Sequence, residues 1–204
     1  MTGEDEARAA WLARNPPAWE MGRVASTSAA SSNNAQAPTN HMWLIPGSST
    51  LTLEAADEMS NVALREAAAR AFNPISVCVL DPSGRTLVAK TMLGCGTLTP
   101  DLALAKANAC VGLLCSSREL RDKYINGEGI GPKMPQALGM GAVGAATGQP
   151  IAAFPGGVLC RDASNNVVCA IAVSGAASDE DEHCAIMAAQ SVGLVTEPAW
   201  SQLS

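Results

Sequence analysis

Aromatic side chains are scarce in this chain: two Phe, one Tyr and four Trp amount to 3% of its 204 residues. A core must therefore be packed from Ala, Val, Leu, Ile, Met and Cys, and a 48% hydrophobic share supplies enough of them for one sizeable domain. Positive charge is also short. Thirteen Lys and Arg stand against nineteen Asp and Glu, for a net charge of −6 and a pI near 4.9. That balance argues against nucleic acid or an anionic membrane surface as the main partner. Long apolar runs are missing, and none approaches the roughly 20 residues of a membrane span. The opening acids Glu4, Asp5 and Glu6 stand where a secretory signal would be basic. Arg8, Arg14 and Arg23, ahead of a Ser/Ala-rich stretch, keep a mitochondrial transit segment as the alternative to the expected cytoplasmic location. No Cys-x-x-Cys pair occurs among the seven cysteines. Thiol zinc sites need closely spaced ligand pairs, so no metal site is expected. The cysteines read instead as small buried hydrophobes of a reducing compartment. Cys184 is the best placed for a catalytic thiol, but the acids beside it would raise its pKa.

What the chain does have is a sharp apolar block, Val167–Val173, followed by Ser174-Gly175 and an acidic run. A run so short and so rich in β-branched residues predicts a strand covered on both faces. Gly175 permits a tight exit. Ser178 and Asp181 have the spacing of a capping box, with acids where the helix dipole favours them. Cys184, Met187, Ala188, Val192 and Val195 then mark one face of a helix.

Residues 1–49 read as a flexible tail, because Ser26–Asn40 is Ser, Ala, Asn and Thr without an apolar period. Trp11, Trp19 and Trp43 lie in it, available to dock on the domain or on a neighbouring subunit. Residues 50–197 read as one domain and 198–204 as a C-terminal tail. In the domain, Thr52 caps a long helix whose face is Leu53, Ala56, Met59, Ala63, Leu64, Ala67 and Ala71, and Asn73-Pro74 stops it. Ile75–Leu80 and Thr86–Lys90 flank the type I turn Asp81-Pro82-Ser83-Gly84, which predicts a hairpin. Thr99-Pro100-Asp101 starts a helix that runs to about Cys115. Ser116 to Glu119 fits a second capping box. Pro150–Ala153 reads as a short strand, and Val158–Cys160 pairs with Val167–Val173 across the turn Asp162–Asn166. Strands grouped as hairpins, with helices between them, indicate an α+β fold with an antiparallel sheet.

Two features carry chemistry. Between Leu102 and Cys115 the only charge is Lys106. A helix apolar nearly all round is buried on more than one side or packs against another subunit. Lys106 then either finds a carboxylate partner or serves as an anion-binding cation at a pocket. The second feature, Gly139-x-Gly141-x-x-Gly144, spells a dinucleotide fingerprint, but Pro132, Lys133 and Pro135 occupy the place of the strand it requires. Residues 127–148 are expected to form a loop, over a pocket or as a simple connection.

The ordered blocks LTLEAA at Leu51, VCVLDPSG at Val77, DLALAKANA at Asp101, PGGV at Pro155 and VVCAIAVSG with DEHCA resemble the GlcG/HbpS family, which also forms the C-terminal domain of PduO-type proteins. The resemblance spans about Leu51–Val195. It implies a profilin-like antiparallel sheet flanked by helices on both faces, a homo-oligomer, and binding of a small ligand, with haem or another tetrapyrrole foremost. Cys169 and Ala172 stand where the family often has Gly, which narrows that edge of the expected pocket. With only His41 and His183 present, a haem ligand would have to be one of these, a thiolate, a Met or a Thr. The expected ligand hollow is bounded by Lys106, Gly156, Gly157, Ser174, Gly175 and His183. Asp181 and Glu182 match the family's acidic pair; they either stabilise the helix N-terminus or act with Lys106 as an acid/base pair. The chain is thus expected to bind a small ligand in an accessory or sequestering role. The alternatives are an enzyme of small-molecule metabolism using those side chains, and a structural oligomer without a ligand.

Overall fold

The computed structural model describes residues 50–126, 130–199, 201 and 203. The expected tail, with His41 and three of the tryptophans, lies outside the described residues. In chain order the elements are helix α1 (Leu53–Ala69), strands β1 (Ser76–Leu80) and β2 (Thr86–Thr91), helices α2 (Thr99–Leu113) and α3 (Ser117–Arg121), a π-helical turn (Asp122–Asn126), helix α4 (Ile130–Thr147), strands β3 (Gly157–Arg161) and β4 (Val167–Ser174), helix α5 (Ser178–Ser191) and strand β5 (Val195–Glu197). The strands form one sheet in the order β2-β1-β4-β3-β5, and every pair is antiparallel. The Val167 block is thus the middle strand, with neighbours on both edges, as its apolar run demands.

Alternation along the strands divides the core into two layers. Val77, Val79, Val158, Cys160, Cys169, Ile171 and Val173 face α1 and α5, whose Ala55, Ala56, Met59, Ala63, Cys184, Ala185 and Ala188 complete that layer. Cys78, Leu80, Leu159, Ala170 and Ala172 face the other way, onto Ala103, Ala107 and Cys110 of α2. Small residues in both helices let them approach the sheet closely, which is how a core with so few aromatics fills its volume. The architecture is therefore α+β, with helices on both faces of an antiparallel sheet. Among the described residues, no helix is long and apolar enough to cross a membrane.

Several local expectations shift. Thr52 caps α1, accepting from Ala55 N at 3.3 Å, but the helix ends at Ala69, ahead of Asn73-Pro74, with Ala71 at positive φ. Leu53 is 59% exposed, and Ala55 takes its place on the buried face. Thr99 and Ser178 are the first residues of their helices rather than the caps. At α5 the orphan N–H of Ala177 is met by Glu180 Oε2 at 3.0 Å. α5 stops at Ser191, and Val195 opens an edge strand instead of continuing the helical face. Pro150–Ala153 forms no strand; Ala152 N donates to Ala105 O of α2 at 3.1 Å, so this segment is tied to a helix and not to the sheet. The largest correction is α4. The passage expected as a loop is an 18-residue helix with Pro135 inside it, and Gly139, Gly141 and Gly144 all lie within it. Its four glycines and Pro135 disfavour a helix by propensity, so its packing on the π-helical turn has to override them.

Candidate functional site

β4 ends at Ser174, and the chain turns through Gly175 at φ +138. A Cβ there would stand 2.9 Å from Ile75 Cα, so the exit passes hard against the segment entering β1. Three consecutive residues in the first turns of α5 then leave the helix about 100° apart, and each finds a different helix. Asp181 Oδ2 takes the Lys106 Nζ of α2 at 2.9 Å, while its Oδ1 accepts from Ala176 N at 3.0 Å. Glu182 receives the Arg118 Nε of α3 on both oxygens, at 3.0 and 2.8 Å. His183 Nε2 meets Glu66 Oε1 of α1 at 2.8 Å. Arg118 also pairs with Asp179.

The expected site residues therefore sit close in sequence and diverge in space. Lys106 and Asp181 meet; Glu182 and His183 do not join them. Lys106, Asp181, Glu182 and His183 are all 4% exposed or less. Burial pushes Lys106 down and Asp181 up, and their mutual attraction opposes both shifts. Burial likewise raises Glu182 against the pull of Arg118. Burial works against the Arg118 charge, but the hydrogen bonds to Glu182 and Asp179 hold its pKa above the ordinary value. Cys184 is pushed up to about 12 by burial, then by Asp181, and is inert by that measure.

Neighbouring atoms stand close to the glycines expected beside Ser174-Gly175. A Cβ on Gly156, at φ +123, would lie 2.6 Å from Val173 O, 2.7 Å from Lys106 Nζ and 2.9 Å from Asp181 Cβ. On Gly157 it would lie 2.8 Å from Lys106 O and 3.0 Å from Cys110 Sγ. The Gly157 N–H donates to Ser117 Oγ at 2.8 Å. These glycines permit backbone to pack on side chains.

A cavity of about 640 Å³ lies elsewhere, between α2, the π-helical turn and α4. Its walls are Asn108, Gly112 and Leu113 from α2, Tyr124 from the turn, Gln136, Gly139, Met140, Val143, Gly144 and Thr147 from α4, and Gln149 and Ile151 beyond it. None of these side chains is charged. Its size falls in the roughly 300–1,000 Å³ range of small-molecule clefts, and its makeup, apolar with a few amides and hydroxyls, is theirs too. A Cβ on Gly112 or on Gly139 would meet nothing within 4 Å, so both helices present bare backbone to open space. At Gly144 the returning chain closes in: Gln149 N donates to its carbonyl at 2.8 Å, and a Cβ would lie 2.6 Å from Gln149 O. Asn108 Nδ2 holds Pro150 O at 3.1 Å, fixing that wall. Among the described residues, no group of three or more His, Cys, Asp or Glu could hold a metal ion.

Sequence reasoning allowed a loop over a pocket at residues 127–148, but it did not foresee that a helix, α4, walls the cavity. Its trace in the sequence was the nearly uncharged α2, which needs a covering on both its sheet side and its far side.

The model of the family described as "Haem degrading protein HbpS-like" matches residues 51–190. No curated protein matches the chain. Among solved structures, HbpS is 28% identical, with 73% of this chain and 94% of that chain covered at a TM-score of 0.57. PduOC in complex with haem is 18% identical, with 71% and 96% covered at a TM-score of 0.59. Protein ORFY of Klebsiella pneumoniae is 22% identical, with 80% and 96% covered at a TM-score of 0.57. At their lower identities the last two share the fold.

Proposed function

The chain belongs to the HbpS-like family, and from that premise we propose that it binds haem in the cavity between α2, the π-helical turn and α4. The carrying observation is the pair Gly112 and Gly139, where open space lies against two helix backbones. A flat macrocycle would lie against these bare backbones, and a bulkier side chain at either position would occupy that space. The donor set fits as well. Leu113, Met140, Val143 and Ile151 offer apolar contact to a ring, and Tyr124 and Met140 are side chains of types that hold haem iron. Lys123, whose Nζ lies 5.2 Å from the Tyr124 ring centroid, supplies a cation near that residue for a propionate. Bound haem would bring an iron centre with its own redox and ligand chemistry, while the chain supplies shape, burial and donors.

The role is binding, as an accessory or sequestering protein, because the ionisable groups of α5 are committed to helix–helix pairs. Lys106, Asp181, Glu182 and His183, packed by Gly156, Gly157, Ser174 and Gly175, form a seam joining α5 to α1, α2 and α3. It holds α2, the cavity's inner wall, in place. An acid/base enzyme drawing on Lys106, Asp181 and Glu182 is the alternative; it would require these groups to share an accessible cavity. Residues 50–197 are the domain that carries the function. The exposed Leu114 and Leu138 favour a homo-oligomer, and the unpaired cysteines favour the reducing cytoplasm. A haemin titration tests the central reading. A sharp Soret shift saturating at one haemin per chain is expected, and its absence at stoichiometric ratios would overturn the reading.

A further inference from the structure

Tyr124 is the chain's sole tyrosine. It lines the cavity from the π-helical turn, a widened helical geometry rare in proteins and frequent at functional sites. Three lining residues carry atoms of types that ligate haem iron: Tyr124, Met140 and Thr147. The Thr147 hydroxyl is spent on its own helix, donating to Val143 O at 2.9 Å. The Met140 thioether is a soft, neutral donor, and Met usually ligates haem opposite a His. No His lines this cavity. Among the lining residues, Tyr124 alone can offer ferric iron a hard phenolate oxygen.

Resting on the haem-binding reading above, we propose that Tyr124 is the iron ligand, binding ferric haem through its phenolate oxygen. On binding, an Fe–O bond forms, the phenolic proton passes to water, and the water held by ferric iron on that side leaves; no electron is transferred. Met140, from α4, packs on the macrocycle without ligating the metal.

Wild type, Tyr124→Phe, Tyr124→His and Met140→Leu, each checked for folding by circular dichroism and melting, are titrated with haemin and with metal-free protoporphyrin. Wild-type haemin complexes should show a phenolate-to-iron charge-transfer band and phenolate modes in resonance Raman spectra. Tyr124→Phe should lose both and bind haemin at least about tenfold more weakly, with protoporphyrin affinity unchanged. Tyr124→His should restore haemin affinity with a histidine-type spectrum, and Met140→Leu should keep the wild-type bands. If wild type binds haemin without phenolate signals, or Tyr124→Phe keeps the wild-type spectrum, the ligand assignment falls while the cavity stands. If wild type binds neither haemin nor protoporphyrin, the cavity reading falls and takes the ligand with it. Should Tyr124→Phe fail to fold, the wild-type Raman spectrum alone decides.

Discussion

Asp181 and Lys106 form an ion pair at 2.9 Å in which both side chains are almost wholly excluded from water. Such a pair contributes little relative to apolar packing, but a broken one is expensive, because a lone charge stays buried. Asp181→Ala and Lys106→Met should therefore each destabilise the domain by about 3–5 kcal/mol. The double variant Lys106→Met with Asp181→Leu should recover most of that loss, and urea melts of the four proteins check it. Glu66 behaves differently. The hydrogen bond from His183, then that from Arg70, holds its carboxyl below the ordinary value of 4.5. A depressed acid adds stability above its unfolded pKa and loses it as pH falls through the folded value. Between pH 4.5 and the lower folded value, stability should drop with acid, and Glu66→Gln should flatten that part of the profile in melting temperature. A steeper or unchanged profile would contradict the assignment.

The helices differ in what the sequence disclosed of them. α1 and α5 were legible because their apolar positions keep helical spacing and their starts carry Thr52 and the acids of residues 179–181, and α2 because Pro100 and Asp101 mark its start. α4 was not, because Pro132, Pro135 and its glycines are breakers by propensity, and its contacts with the π-helical turn override them. Lys106, Asp181, Glu182 and His183 stood out in the sequence, and each has a partner in the structure. Residue types alone do not tell a pocket rim from a packed seam; the three directions taken by Asp181, Glu182 and His183 required the structure. Glycines show the same ambiguity and give a test of it. Gly156→Ala should destabilise the domain, because its Cβ would strike Val173 O and Lys106 Nζ. Gly139→Ala meets open space in a helix and should raise stability by roughly 0.4–1 kcal/mol. Thermal melts of the two variants should move in opposite directions.

At the scale of the molecule, an antiparallel sheet covered on both faces serves as the rigid support, and the cavity lies outside it, on the far side of α2. β4 has strands on both edges and helices on both faces, whereas α4 packs chiefly on the π-helical turn. Native-state hydrogen exchange should therefore be slowest in β4 and faster in α4, with haemin slowing α4 selectively. Light scattering should return at least twice the 20.8 kDa mass of the chain, and a monomer would contradict the homo-oligomer. The most direct test of the account is the affinity of metal-free protoporphyrin for wild type and for Gly139→Leu, read by fluorescence. Binding in the cavity predicts tight binding to wild type and a loss of at least about tenfold in the filled variant. Equal affinity in the two proteins, with both folded, would contradict it.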